Sequence, residues 1–252
     1  MDIEKGWKST CRLLLGREVG GIEKYEGYLM QYVDPYRMEK SIISGKDVVV
    51  SGEYGSGARF ISGDEIIQYD AIAARTPLSI NDIKDIDSLV SALGEVAIYS
   101  GNDILGKSSD ITFSNKVLDS NTVYKSHEVI FSKNIACCNI VKYAEHCYGG
   151  MSVGKHAFFT IHSFEIYEGH RLFECVRVYH SSDCTFASNL ENCRDCMFSF
   201  NLRSKSKCIG NLALPAEKYA DLKKKLQEDI AQTLEAKGKL ESIVEIVRRG
   251  CK

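Results

Sequence analysis

The residues with the most chemical potential are the ten cysteines and six histidines of this 252-residue chain. Five histidines fall close together: His146, His156, His162, His170 and His180, with Glu145, Glu165, Glu168 and Glu174 among them. Imidazoles with a carboxylate make the ligand set of a catalytic zinc or iron site. His156 and His162 lie six residues apart, and no His-x-x-x-His pair occurs. Solvated histidines on a repeat surface are the simpler reading, and a metal centre is the alternative. Cys193-x-x-Cys196 is a second signal, with Cys175, Cys184 and Cys208 near it. A C-x₂-C pair plus two thiolates builds a structural zinc or cluster site. Cysteine also packs as a small hydrophobe, and that is the leading reading. A redox disulfide comes third. Cys193, Cys196, His156 and His162 are therefore the candidate metal ligands of the alternative reading, with zinc or iron as the ion. The leading reading needs no cofactor. No catalytic residue is assigned, and Cys137-Cys138 beside His146 does not rise above background.

A formal phosphate-loop match spans Gly101-Asn102-Asp103-Ile104-Leu105-Gly106-Lys107-Ser108. That motif needs a strand before it and a helix after it. The strand is expected at 96–99, but residues 109–114 read as another strand, so nucleotide binding is not expected.

These residues sit in a repeat. Every sixth residue from Leu105 is apolar: Leu105, Ile111, Val117, Val123, Val129, Ile135, Val141, Cys147, Val153 and Phe159. After one inserted residue the series resumes as Ile166, Leu172, Val178, Cys184, Leu190, Cys196, Leu202, Cys208 and Leu214. Six is neither the helical nor the simple strand period, but it is a multiple of two. It fits short strands whose inward residue recurs once per face of a coil. Hydroxyl residues, Asn and Gly fill the gaps, as turns require. The unit doubles to twelve near the C-terminus, where Asp183-Cys184-Thr185-Phe186-Ala187-Ser188-Asn189-Leu190 and Asp195-Cys196-Met197-Phe198-Ser199-Phe200-Asn201-Leu202 share five of eight residues. Cys184, Cys196 and Cys208 then stack as an inward ladder, and Cys193 lies three residues off it, at a turn. Ile42, Val48, Tyr54, Phe60 and Ile66 also fall six apart, so coils over 41–67 are expected, with a hairpin as the alternative.

The flanks read as helices. One covers Ile22–Val33. Another covers Ser79–Leu93, with Ser79 as N-cap, and is placed to cap the open end of the coils. A third starts at Pro215 and ends at Gly238, and a last one carries Leu240, Ile243, Val244 and Val247.

The segment 192–211 resembles the last repeats of cysteine-rich repeat proteins predicted from archaeal and candidate-phylum bacterial genomes. Those share a Leu-Arg-x-Lys-x-x-Cys-Ile-x-Asn run, here Leu202-Arg203-Ser204-Lys205-Ser206-Lys207-Cys208-Ile209-Gly210-Asn211, followed by a helix. The resemblance covers about residues 183–225 and implies a solenoid fold without implying an activity. The period alone is also similar to hexapeptide acyltransferases, but Leu105-Gly106 and Val153-Gly154 are the few hexads that fit their motif.

The composition supports a globular chain: 44% apolar, 26% charged, net charge −2 and pI about 6.3. No bulk basic character points to nucleic acid, and the apolar runs, about five residues long, are too short to span a bilayer. The N-terminal Met1-Asp2-Ile3-Glu4-Lys5 lacks an apolar signal core, so a cytoplasmic protein with reduced thiols is expected. The expected fold is a mainly β parallel β-solenoid over 98–214, with an N-terminal α/β region over 1–97 and C-terminal helices over 215–252. The leading functional expectation is a scaffold whose repetitive faces meet a protein partner or copies of itself. Tyr124, Phe131 and Tyr143 are candidates for an exposed patch or for the core. The alternative is a metal-dependent enzyme or cofactor-assembly scaffold.

Overall fold

The computed structural model describes residues 3–73 and 84–249. Helix α1 (Ile3–Leu15), a 3₁₀ turn (Ile22–Tyr25) and α2 (Glu26–Leu29) come first, followed by the strands β1 (Tyr36–Lys40), β2 (Asp47–Ser51) and β3 (Phe60–Ser62). Helices α3 (Ile66–Ala73) and α4 (Ile86–Val96) precede the short strands β4 (Tyr99–Gly101), β5 (Ile104–Leu105), β6 (Ser109–Thr112), β7 (Asn115–Leu118), β8 (Asn121–Tyr124), β9 (His127–Ile130) and β10 (Lys133–Ala136). Then come β11 (Asn139–Tyr148), β12 (Met151–Ile161), β13 (Phe164–Tyr167), β14 (His170–Tyr179), β15 (Ser182–Glu191), β16 (Arg194–Phe200), β17 (Ser206–Ile209) and β18 (Leu212–Ala213). Helices α5 (Ala216–Lys237) and α6 (Ile243–Arg249) close the described chain.

Strands β5 to β18 form one fourteen-stranded sheet wound into a parallel β-solenoid of about nine turns. Partner residues on adjacent turns are twelve apart, as in Cys184↔Cys196 and Val117↔Val129. The backbone explains the period. From Asp110 to Gly210 every third residue has a positive φ near 45–70°, apart from one insertion. A plain strand alternates faces with period two. Here each left-handed residue bends the chain, so the residue after it points inward again. The repeating triplet is left-handed, inward, outward, and four triplets make a turn.

The inward positions alternate between large and small. Val117, Val123, Val129, Ile135, Val141 and Cys147 fill one set, nearly all without exposure, and these carry the six-residue period. Between them lie Ser114, Ser120, Ser126, Ser132, Cys138 and Ala144, also buried. The hydroxyls are satisfied twice. Ser126 Oγ donates to the Tyr124 carbonyl at 2.8 Å and accepts the Cys138 amide of the next turn at 3.1 Å. Ser120 and Ser132 repeat the pattern. A buried donor or acceptor left unpaired costs about 1–3 kcal/mol, so this hydroxyl ladder is what lets a polar residue occupy the core.

Several expectations are corrected. Leu105 is exposed, and Ile104 rather than Leu105 is aligned with inward Val117. The insertion falls at Lys155–His156, both left-handed, where the register shifts between Lys142↔Gly154 and Ala144↔Ala157. Thr160, not Phe159, therefore takes the inward position opposite Cys147. Residues 41–67 form no coils. Strands β1 and β2 are an antiparallel hairpin, because Ile43-Ser44-Gly45 makes a tight turn with Gly45 at φ 73°. Ser79 lies outside the described residues, and α4 begins at Asp85, whose carboxylate caps the Ser88 amide at 2.8 Å. That helix buries none of its side chains, so it does not cap the coils. The β1–β2 hairpin does: Asn102 N–H donates to the Val49 carbonyl, Val49 N–H to Asn102 Oδ1, and Asn115 Nδ2 to Ser51 Oγ. Gly101 permits this approach, since a Cβ there would stand 2.4 Å from the Val49 carbonyl oxygen.

Helix α1, which the hexad pattern does not reveal, docks on the coils. Trp7, Cys11, Leu14 and Leu15 are buried with Tyr25 and Leu29 against Ala136, Tyr148, Ile161 and Phe173. The Trp7 ring meets Tyr148 edge-on at 5.5 Å, and its Nε1 donates to the Gly20 carbonyl at 2.9 Å. Helix α5 starts after Pro215 and stops at left-handed Gly238. It packs Ile230, Ala231 and Leu234 into the same cluster.

Candidate interaction surface

Four outward ladders run along the solenoid, one per triplet of the turn. The first, from Tyr124-Lys125 through Ala136-Cys137 and Phe173-Glu174 to Met197-Phe198, lies under α1, α2, α5 and α6. The second faces the segment leading into β1. There Tyr36 lies 5.2 Å from the His127 ring, Asn139 Nδ2 donates to Asp34, and Tyr32 meets Phe164 edge-on. A third, the ladder of Glu145-His146 and Arg171, carries Asp195, which pairs with Lys223 of α5 at 2.9 Å.

The remaining wall comprises Leu118-Asp119, Ile130-Phe131, Lys142-Tyr143, Gly154 to His156, Tyr167-Glu168, Tyr179-His180 and Glu191-Asn192. Among the described residues, its ring contacts and ion pairs join neighbouring coils to one another, not to the helices. Phe131 stacks on Tyr143 at 5.2 Å and 15°, and Tyr167 on Tyr179 at 5.7 Å and 26°. The insertion lies between the stacks. His156 is 6.4 Å from the Tyr143 ring, and Lys155 Nζ sits 5.9 Å from that of Tyr167. Phe131 is 46% exposed, Tyr143 51% and Tyr167 40%. Glu168 pairs with His180 at 2.8 Å. Asp119, Glu168 and Glu191 share this wall with Lys142 and Lys155, so it presents rings in a field of mixed charge. Phe131 and Tyr143 thus belong to an exposed patch. Tyr124 does not: it packs under the helices and its hydroxyl bonds Glu26.

The four candidate metal ligands are not brought together. His156 is exposed on the bare wall, whereas His162 is buried under α2, stacked on Tyr28 at 4.1 Å. Six residues are two of the four triplets in a turn, so the two histidines fall on different ladders. Cys193 is not at a turn: it is 2% exposed on the small inward column, and its thiol donates to the Glu191 carbonyl. Cys196 is on the large column, with its thiol on the Arg194 carbonyl. Nine cysteines are described, all buried and none in a disulfide; Cys251 lies outside the described residues. Burial holds most of these thiols above the ordinary value, Cys137, Cys147 and Cys175 at about 12. Among the described residues no three His, Cys, Asp or Glu side chains converge as a metal site.

Sequence spacing names His162 and Glu174 in the histidine cluster but not the network they form. His162 Nδ1 lies 2.6 Å from Glu174 Oε1, both side chains being fully buried. Tyr28 OH donates to the same carboxylate oxygen, and the Ile243 amide at the start of α6 donates to Oε2 at 3.4 Å. The twelve-residue offset of His162 and Glu174 is the only clue the sequence holds. Desolvation and Glu174 push the Tyr28 phenol well above its usual range. The network ties solenoid, α2 and α6 together.

The phosphate-loop match is strand–turn–strand. The Lys107 amide donates to Asp119 Oδ1 at 2.8 Å, and a Cβ on Gly106 would stand 2.3 Å from that oxygen. A carboxylate of the next turn occupies the place a phosphate would take. No helix of the described chain is long and apolar enough to cross a membrane. Compared with family models, with curated proteins and with solved structures, the chain matches none.

Proposed function

We propose that the protein is an interaction scaffold whose bare wall receives a protein partner or a second copy of the chain. The observation that carries this reading is the double stack of exposed Phe131 on exposed Tyr143 and of exposed Tyr167 on half-buried Tyr179. Aromatic pairs are large contact elements of low conformational entropy, and contiguous exposed patches mark interaction sites. The rings are held by neighbouring turns, so little side-chain freedom remains to be lost on binding. The mixed charge of Lys142, Lys155, Glu168 and Glu191 suits a protein surface better than a polyanion. The helices pack on the first ladder and leave the wall uncovered among the described residues.

The test is site-specific photocrosslinking. A benzophenone amino acid at Tyr143 is expected to give a discrete adduct with a protein partner or a second chain. The same probe at Lys225 of α5 is the control. No adduct at Tyr143, or equal adducts at both positions, overturns the proposal.

A further inference from the structure

Cys196 has no converging partner in Cys193, but it has two partners on its own column. Cys184, Cys196 and Cys208 are Cα partners on the successive parallel strands β15, β16 and β17, and all three are buried. Their side chains leave the backbone in one direction, so the thiols form a line along the solenoid axis. Each thiol donates to a carbonyl two residues before it, Cys184 to Ser182, Cys196 to Arg194 and Cys208 to Ser206, so the three share one orientation.

The spacing of this line decides its chemistry. Adjacent strands lie about 4.8 Å apart, and in a parallel, in-register column the Cβ atoms keep about that separation. A disulfide needs Cβ atoms about 3.8 Å apart, so the column resists oxidation to S–S. Two metal–thiolate bonds of about 2.3 Å, laid end to end, span about 4.6 Å. That is nearly the spacing of the turns. A line of donors offers two ligands to one ion, not the four of a tetrahedral centre. Thiolates select soft ions such as Cu(I).

We propose that Cys196, with Cys184 or Cys208, forms a two-coordinate site for a soft monovalent cation of the Cu(I) type. Two thiols each lose a proton to solvent and two sulfur–metal bonds form: 2 RSH + M⁺ gives [M(SR)₂]⁻ + 2 H⁺. No electron is transferred. The column ends at Cys208, in the last parallel strand, beyond which only the two-residue β18 pairs.

The experiment is a Cu(I) competition titration. The full reduced chain is titrated without oxygen against a chromophoric Cu(I) chelator, and the bound ion is then examined by copper X-ray absorption. The expected result is one ion withdrawn per chain, with a two-sulfur shell. Cys196→Ser should weaken binding by at least about tenfold, and Cys175→Ser should not change it. Withdrawal of no ion, equal binding by Cys196→Ser, equal weakening by Cys175→Ser, or a three-sulfur shell overturns the proposal. If Cys196→Ser lacks the native strand signal in circular dichroism, the double variant Cys184→Ser/Cys208→Ser replaces it. That variant removes both partners of Cys196, so the ion must be lost; retention overturns the proposal.

Discussion

Glu174 lies one turn above His162 and accepts from it at 2.6 Å, in a place from which water is excluded. The same carboxylate takes the Tyr28 hydroxyl and the first amide of α6. Removing it leaves an imidazole, a phenol and an amide without their acceptor. Breaking a buried ionic or hydrogen-bonded pair from one side costs about 3–5 kcal/mol. Glu174→Ala is therefore expected to lower stability by that order in urea unfolding. Hydrogen exchange should rise first in α2 and α6, ahead of β14. Uniform exchange across the chain would contradict the fastening role.

The hydroxyl column makes a separate prediction. Ser126→Ala keeps the volume of the core but strips the acceptor from the Cys138 amide and the donor from the Tyr124 carbonyl. A loss of about 1–3 kcal/mol is expected. Ser126→Cys should lose less, because Cys138 already acts in this way: its sulfur accepts the Gly150 amide at 3.2 Å and donates to the Ala136 carbonyl. Thermal midpoints of the two variants, compared with the parent, check the ranking.

Acid should weaken the fold through His127. Burial pushes this imidazole down to about 4, and neither ring nitrogen has a hydrogen-bond partner. The folded chain holds it neutral, while the unfolded chain protonates it below about pH 6.5. The unfolded state thus binds more protons over this window, so stability is full above about pH 6.5 and falls as pH drops toward 4. The loss amounts to about 3 kcal/mol at the low end. His127→Leu should flatten the stability profile between pH 6.5 and 4.5; an unchanged slope would assign the acid sensitivity to other groups.

The cap can be tested at Gly101. Gly101→Ala places a methyl against the Val49 carbonyl, and the hairpin must retreat. Proteolysis within residues 36–51 should accelerate, with the strands beyond β7 remaining protected. An unaltered cleavage rate would show that the hairpin gives way without detaching.

Left-handed residues that carry a branched Cβ are strained. Ile140 has φ 56° and is 36% exposed. The left-handed region costs an ordinary residue about 1–2 kcal/mol, and Asn less, because its side chain bonds locally. Ile140→Asn is expected to raise the unfolding midpoint, within the limit set by the apolar contact it gives up.

The solenoid and its large inward column were legible because Val117, Val123, Val129 and their successors are aliphatic at one phase. The small column was not, since Ser120 and Ser126 look like turn residues until the Ser–amide bonds to the next turn are visible. The same reading sent Cys193 to a turn. Val48 of the β1–β2 hairpin falls six residues from Ile42 and from Tyr54 by coincidence, and only the antiparallel pairing separates the hairpin from a coil. Helix α1 was hidden because Trp7, Cys11 and Leu14 have meaning only beside Tyr148 and Phe173. The exposed stack was half legible: Phe131 and Tyr143 could be named, but not their separation from Tyr124, which depends on which wall the helices cover. Glu174 and His162 were named in the histidine cluster, but their pairing across a turn gave no local signal.

The left-handed residue in every third position gives this fold a reading frame. Lengthening the solenoid by twelve residues adds a turn and leaves every face in place. Three extra residues would instead turn each later ladder onto the next wall, and one or two would swap inward for outward unless absorbed on the spot. Lys155 and His156 show the absorption: two consecutive left-handed residues take up the surplus, and the ladder from Tyr167 onward continues in phase with that ending at Tyr143. Growth by duplication of whole turns is therefore silent for the exposed wall, and each added turn would extend the aromatic face without redirecting it.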